Sequence, residues 1–201
     1  MQKIGIIILA AGASTRMNGK PKQLLEFEGK TLLRRAAETA LSSGLRPVAV
    51  VLGANAEKLQ TEIKDLPVHP AINENWASGM GGSIKTGLSV LLAENMDTEA
   101  AILMLCDQPF VTAETLNRLV ETFQKTKKPI AACQYAETLG VPALFTREMF
   151  AELSDLQGDA GAKAVIRKHA AEVAKTPAPE AAFDVDTQAD FQNLFSITLH
   201  D

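Results

Sequence analysis

The stretch from Ile4 to Leu25, IGIIILAAGASTRMNGKPKQLL, constrains this chain more than any other. Ile6-Ile7-Ile8-Leu9 is a continuous apolar, mostly β-branched run, the pattern of a strand buried on both faces of a parallel sheet. It gives way to Ala10, Ala11, Gly12, Ala13 and Ser14, all small, so nothing there keeps a ligand away from the main-chain N–H groups. Arg16, Lys20 and Lys22 follow within a few residues. N–H donors, close approach and fixed positive charge beyond the carboxyl end of a first strand are what a polyphosphate requires. Two familiar phosphate loops do not fit. Gly19-Lys20 lies too far from Gly12 for a P-loop, and Pro21 stands where the metal-binding hydroxyl belongs. The dinucleotide fingerprint needs several spaced glycines, and Gly12 is alone before Arg16. The plain alternative is a flexible Gly/Ala turn with solvated cations.

Composition bounds the rest. A chain of 201 residues, 46% apolar and 22% charged, is expected to form one globular domain spanning 1–201 with a sizeable core. A formal charge of −4 excludes a general nucleic-acid or membrane-surface binder, so any anion site must be local. Cys106 and Cys133 sit in apolar, strand-like runs without a CxxC or Cys/His cluster, and read as reduced core thiols rather than zinc ligands or a disulfide. The amino terminus runs straight into its strand and no apolar run approaches membrane-spanning length, which points to a cytoplasmic protein.

Taken in order, the chain alternates strand and helix. Thr31 to Leu45 has helical apolar spacing closed by Gly44. Val48 to Leu52 reads as a strand, Glu57 to Leu66 as a helix, and Val68 to Ile72 as a third strand. A helix follows from about Ile84 to Leu92, then the apolar strand Ala100 to Leu105 and a helix capped by Thr112. Pro129 to Gln134 and Leu139 to Phe145 are expected as strands, the latter with a loop-derived edge around Gly140 and Pro142. A short helix spans Glu148 to Leu153, another runs from about Ala162 to His169, residues 176–180 read as a loose connection, and Thr187 caps a last amphipathic helix. This alternation predicts an α/β fold with a mostly parallel sheet, and sites in such sheets lie beyond the strands' carboxyl ends.

Three further stretches fall at such positions. Asn73-Glu-Asn-Trp-Ala-Ser-Gly-Met-Gly-Gly-Ser83 joins a strand to a helix and holds the sole tryptophan. Its glycines and helix end can face an anion while Trp76 offers a flat surface to a ring; alternatively Trp76 plugs the core and Ser83 is only a cap. Asp107, where the apolar strand emerges before Pro109, is the first choice for a hard-cation ligand. Asp184 and Asp186 share one side of an extended segment, unless they are simply solvated acids. Asp159, at a glycine-rich helix start, has the ready alternative of complementing a helix dipole. His69, His169 and His200 are scattered, and no Ser/His/Asp or Cys/His nucleophile is visible, which favours chemistry done by positioning and charge stabilisation.

Together, Leu9-Ala-Ala-Gly-x-Ser-x-Arg-Met17 with Pro21-Lys22-Gln-Leu-Leu25, Asn75-Trp76 with Gly79-Met80-Gly-x-Ser83, Asp107-Gln-Pro109, Gly140-x-Pro142, Gly158-Asp-x-Gly161 and Asp184-x-Asp186-Thr resemble the molybdenum cofactor cytidylyltransferases of the MobA-like nucleotidyltransferase family. The resemblance runs from Ile4 to Phe191. It implies a single-domain, Rossmann-like three-layer sandwich of the nucleotide-diphospho-sugar transferase type. Residues 1–110 would then mainly bind nucleotide and 111–201 mainly the acceptor. The implied activity joins CMP from CTP to the terminal phosphate of molybdenum-loaded molybdopterin and releases pyrophosphate, with Mg²⁺ as cofactor and Mn²⁺ as its alternative. Carried over by motif, Leu9, Ala10, Ala11, Gly12, Ser14, Arg16, Lys22, Gly82, Ser83 and Asp107 would bind the nucleotide. Asn75, Trp76, Ser78, Gly79, Met80, Gly140, Pro142, Gly158 and Asp159 would bind the acceptor. Asp107 and Asp186 would hold the metal, and Arg16, Lys22 and Asp107 would be catalytic. Asn18, Gly19 and Lys20 make the loop one residue longer than the branch's usual spacing, leaving Lys20 and Lys22 both open as the phosphate contact. Transfer of GMP, transfer to a sugar phosphate, and a cofactor-delivery module working with a recipient molybdoenzyme or its chaperone are the alternatives.

Overall fold

The structure, a computed structural model, describes residues 3–17 and 20–197; Asn18, Gly19 and His200 lie outside them. Its central sheet holds β1 (Ile4–Ala10), β4 (Val48–Leu52), β5 (His69–Ile72), β6 (Ala100–Leu105), β7 (Ile130–Tyr135), β8 (Thr138–Thr146) and β9 (Val173–Pro177) in the order β5-β4-β1-β6-β8-β7-β9. A small hairpin, β2 (Glu26–Phe27) and β3 (Lys30–Thr31), stands apart. The helices are α1 (Leu32–Ser42), α2 (Ala56–Ile63), α3 (Met80–Glu94), α4 (Ala113–Thr126), α5 (Phe150–Ser154), α6 (Ala162–Lys168) and α7 (Gln188–Ile197). Among the described residues no helix is long and apolar enough to cross a membrane.

The continuous apolar runs explain the layers. Every residue of β1 and β4 is buried, because alternate side chains point to opposite faces and both faces are covered. Ile6, Ile8, Val48 and Val50 pack with Leu33 and Ala37 of α1, Leu59 of α2 and Leu116 of α4. Ile7, Leu9, Ala49 and Val51 pack on the other side with Ile84 and Leu88 of α3 and Val165 of α6. The result is a three-layer sandwich whose sheet is parallel at β1–β4, β1–β6, β4–β5 and β7–β9 and antiparallel only where β8 meets its neighbours.

Helix starts follow side-chain capping. Thr31 accepts from the Arg34 N–H at 3.2 Å to begin α1, and Thr112 and Thr115 cap one another at the start of α4. At α7, Thr187 Oγ1 accepts from Asp190 N at 3.2 Å while Asp190 Oδ2 accepts from Thr187 N at 2.7 Å, a reciprocal arrangement that fixes the segment just before the helix.

Three expectations need correction. The 139–145 segment is an inner strand, β8, paired on both sides. Ala132 faces Ala143 but Cys133 faces Gly140, so Val141 and Pro142 form a bulge, where a residue without an N–H does no harm to the ladder. Residues 173–177 form the edge strand β9 rather than lying partly in a loose connection; Lys175 and Pro177 project outward, leaving only Val173, Ala174 and Thr176 buried and too little apolar signal to read. Helix α3 begins four residues earlier than about Ile84, at Met80, with small residues making its first turn. The β2–β3 hairpin was not anticipated, since its turn pairs Glu28 (φ 51°) with Gly29 (φ 74°) and lacks the Asn or Asp that usually announces one.

His169 closes α6 and binds Glu152 of α5 at 2.8 Å, with Glu172 at 3.4 Å. The Glu152 hydrogen bond raises the His169 pKa above its usual value. A raised folded-state pKa stabilises the fold below the ordinary histidine pKa of about 6.5 and loses that contribution as pH rises through the folded value. The thermal midpoint of wild type should therefore exceed that of His169→Gln most at about pH 5.5 and least near pH 8.5. A gap independent of pH would show that the pair contributes no charge.

Candidate active site

A cleft of about 570 Å³ opens beyond the carboxyl ends of β1 and β6. Its first wall is the loop after β1, shaped by a residue to which the sequence assigned no role. Gln23 is almost fully buried, and its amide donates to the carbonyls of Ala10 at 3.1 Å and Gly12 at 2.7 Å. Its Oε1 accepts from Ser14 Oγ at 3.1 Å, and Ser14 Oγ accepts in turn from Lys22 N at 3.0 Å. Carbonyls that would otherwise turn into the cleft are thus tied back. Ser14 takes the left-handed conformation, φ 55°, that this closed set of bonds requires.

The floor is charged. Lys22 Nζ donates to Asp107 Oδ2 and, at 2.8 Å, to Asp186 Oδ1. Arg16 approaches Asp186 Oδ2 at 3.4 Å from a far more exposed position. Burial works against the Lys22 charge, but Asp107 beside it and the hydrogen bonds to both carboxylates prevail and raise its pKa. The second Asp107 oxygen, Oδ1, is buried without a hydrogen-bond partner. Asp186 reaches the floor because Val185 anchors the segment. Its N–H donates to the Asp107 carbonyl at 2.9 Å, and its side chain packs with Phe27, Leu32 and Leu194, so Asp184 and Asp186 on either side face the cleft. Asp184 remains open along the cleft wall, yet the desolvation it suffers there, and then the charge of Asp107, push its pKa up to about 6. Cys106 also lines the cleft, but burial pushes its thiol up to about 12, which leaves it protonated and inert as a nucleophile.

The opposite wall is the 73–83 loop. Asn73, buried, donates to Ser83 Oγ at 3.0 Å and accepts from the Asn75 N–H at 3.1 Å, which folds the loop against α3. Trp76 is half-buried and lines the cleft. Its base rests on Gly53, just after β4, where a β-carbon would lie 2.5 Å from Trp76 Cβ and 2.7 Å from the Ala11 carbonyl. Gly79 has φ 111°, and a β-carbon there would come within 2.1 Å of the Gly158 carbonyl group. Glycine is required at Gly79 on both counts. The two glycine-rich loops meet at that point, where Gly81 N donates to Gly158 O at 3.2 Å.

The match of the chain to known proteins is decided by residues 6–173, which fit the model of the MobA-like NTP transferase domain. The chain belongs to this family. It is a nucleotidyltransferase, acting on a nucleoside triphosphate. Nicotine blue oxidoreductase of Paenarthrobacter nicotinovorans is 33% identical over 168 residues, covering 81% of this chain and 80% of that protein. The purine catabolism protein PucB of Bacillus subtilis is 30% identical over 170 residues, covering 80% and 79%. A crystal structure of Rv0371c from Mycobacterium tuberculosis, in complex with manganese, superposes with a TM-score of 0.81 at 28% identity, over 97% of this chain and 99% of that one.

In this transferase Leu9, Ala10, Ala11, Gly12, Arg16, Lys22, Trp76, Gly79, Met80, Ser83, Asp107, Asp159 and Asp186 all line the one cleft, from five separate stretches of chain. The ammonium of Lys22 is in it, and Lys20 is not among its walls. Ser14 stands behind the first loop and acts on it through Gln23 and the Lys22 N–H. Asn75, Ser78, Gly82 and Gly158 flank the cleft without lining it. Gly140, paired with Cys133 beside the β8 bulge, and Pro142 within it do not line the cleft; there Tyr135 Oη and Gln108 Nε2 donate to the Val141 carbonyl at 3.1 and 3.2 Å. Gln23, Asn73 and Gly53 went unread because buried amides and packing glycines carry no signature until their partners are known. Replacing Gln23 by the near-isosteric Leu strands buried polar partners, a loss worth about 1–3 kcal/mol. In chemical denaturation Gln23→Leu should lose stability of that order, and its KM for nucleotide should rise more than its kcat falls. An unchanged KM would separate Gln23 from nucleotide binding.

Proposed function

We propose that this transferase moves CMP from CTP to the terminal phosphate of a molybdenum-loaded molybdopterin, forming the cytosine dinucleotide and pyrophosphate. The observation that carries the reading is the Asp107–Lys22–Asp186 cluster on the cleft floor, between a backbone-lined loop and the Trp76 wall. Leu9, Ala10, Ala11, Gly12, Ser14, Gly82 and Ser83 form or support the nucleotide side, and it is by Ala11 that the loop resembles the cytidylyl branch. Asn75, Trp76, Ser78, Gly79, Met80, Gly140, Pro142, Gly158 and Asp159 form or support the pterin side. Residues 1–110 thus carry the nucleotide side together with the Trp76 loop, and 111–201 the rest of the acceptor side.

Asp107 and Asp186 would hold Mg²⁺, with Mn²⁺ able to substitute, and a related structure is a manganese complex. The donors fit such an ion. Asp107 Oδ1 is a buried oxygen lacking a partner, and two carboxylates aimed at one cation meet the needs of Mg²⁺, which otherwise takes water and substrate phosphate oxygens. Among the described residues no group of three or more such side chains gathers at a point, so further ligands would have to be oxygens of substrate and solvent. When bound, the ion neutralises charge on the α-phosphate. The chain's own part is positioning and charge. The Gln23-braced loop holds the nucleotide, Trp76 offers a flat face to the pterin, and Arg16 and Lys22 stabilise the departing pyrophosphate. The acceptor phosphate is already ionised, so no general base is needed. Delivery to a recipient molybdoenzyme or its chaperone would follow release.

One relative bears the name nicotine blue oxidoreductase, so a redox assay with nicotine blue belongs among the controls. Pyrophosphate release, assayed with CTP, GTP, ATP or UTP and with or without molybdenum-loaded molybdopterin, should require CTP and the pterin together. Release with GTP instead, or only with a sugar phosphate, would replace this reading. Asp107→Asn should bring turnover to background while circular dichroism shows the protein still folded, and near wild-type turnover would remove Asp107 from the reaction. Arg16→Ala should lose on the order of 10²-fold in kcat, as expected for a preorganised charge stabiliser; a loss below tenfold would make Arg16 peripheral.

A further inference from the structure

We infer that the Lys22 ammonium is the resident cation of the Asp107–Asp186 pair and must leave it for a divalent ion to enter, so that metal entry frees Lys22 to turn to the phosphates. This rests on the proposed metal role of Asp107 and Asp186. The two carboxylates reach the floor from segments far apart in the chain, and both spend an oxygen on the same Nζ. The side chains of Lys22 and Asp107 are only 15% and 10% exposed, so solvent screens the contact poorly. A divalent ion taken up by the same two carboxylates, against the unpartnered Asp107 Oδ1, stands next to the ammonium on Oδ2, and in so poorly screened a setting their repulsion drives the lysine off. Arg16 does not fill the same place, since it reaches only Asp186, at 3.4 Å, with a side chain 69% exposed.

An ammonium parked on two carboxylates has two effects. It neutralises the buried Asp107 carboxylate, which would be costly if left unpaired, and with it the more open Asp186. It also sets metal affinity against lysine release. Triphosphate oxygens offer the released ammonium a new partner, so nucleotide and metal each favour the other's binding, reciprocally and by an amount that depends on Lys22.

Two measurements test this without using catalysis. Mn²⁺ titrated into nucleotide-free protein and followed by the loss of its free-ion paramagnetic signal should bind Lys22→Met about tenfold or more tightly than wild type, the range of ordinary site-to-site coupling. In wild type, acetylation of Lys22 by a water-soluble amine-reactive ester, read by peptide mass spectrometry, should accelerate several-fold when MgCl₂ is added, while Lys30 and Lys125 keep their rates. Equal or weaker Mn²⁺ binding by a folded Lys22→Met, or Lys22 acetylation indifferent to Mg²⁺ at concentrations that saturate the site, would overturn the inference. Mn²⁺ binding that survives Asp107→Asn combined with Asp186→Asn would instead overturn the metal assignment on which it rests.

Discussion

A single ammonium joins three distant parts of this chain. Lys22, Asp107 and Asp186 come from the loop after β1, the end of β6 and the segment before α7, and they meet at one Nζ. Lys22 and Asp107 are poorly solvated, and charges in that position persist only where paired, which makes the meeting point a strict geometric demand. Much of the surrounding structure satisfies it. Gln23 and Ser14 fix the backbone that carries Lys22. The Val185 N–H fastens the Asp186 segment to the Asp107 carbonyl. A small aromatic group beneath it, with Phe27 and Phe110 centroids 6.1 Å apart and Phe110 and Phe183 5.6 Å apart, gives that segment a core of its own.

The hairpin of β2 and β3 belongs to this arrangement. Phe27 is fully buried between α1 and α7, and Arg35 of α1 lies over its ring at 4.9 Å while donating to the Pro109 carbonyl at 2.8 Å. One arginine thereby links the hairpin to the turn that follows Asp107. The segments bearing the cleft's charged groups are held by these local attachments, and the sheet itself is held by the two large apolar layers. Changes at the cleft edge can therefore alter binding without unfolding the sheet.

What could be read in advance follows from the same division. β1, β4 and β6 are legible because burial on both faces forces an unbroken apolar run, and Asp107 stands out because a carboxylate ends such a run. Asp184 and Asp186 are legible as a pair because alternate residues share a side, and Val185 between them is indeed turned into a core. β9 escaped because an edge strand with Lys175 and Pro177 on its outer side needs little apolar content. Gln23 escaped for a different reason. Its value lies in the carbonyls of Ala10 and Gly12, which any sequence possesses, so only the fold reveals that they needed tying back. Gly53 is similar, meaningful only once Trp76 is seen resting on it.

The charge of the cleft bears on how an acidic protein accepts a polyphosphate. Asp107, Asp184 and Asp186 face Arg16 and Lys22 there, so the fixed cations are outnumbered and one of them is already engaged by two carboxylates. The chain as a whole does not help, with a net charge of −4. A bare triphosphate would meet a floor close to neutral or negative, whereas a triphosphate accompanied by a divalent ion brings the charge that the carboxylates lack and leaves Lys22 available. The loop after β1 can position such a complex through backbone groups but cannot by itself balance its charge. Under the proposed function, the acidic floor therefore acts as a filter, favouring nucleotide that arrives with metal over nucleotide that arrives alone. Binding then assembles the charge-stabilising set only when all of its parts are present.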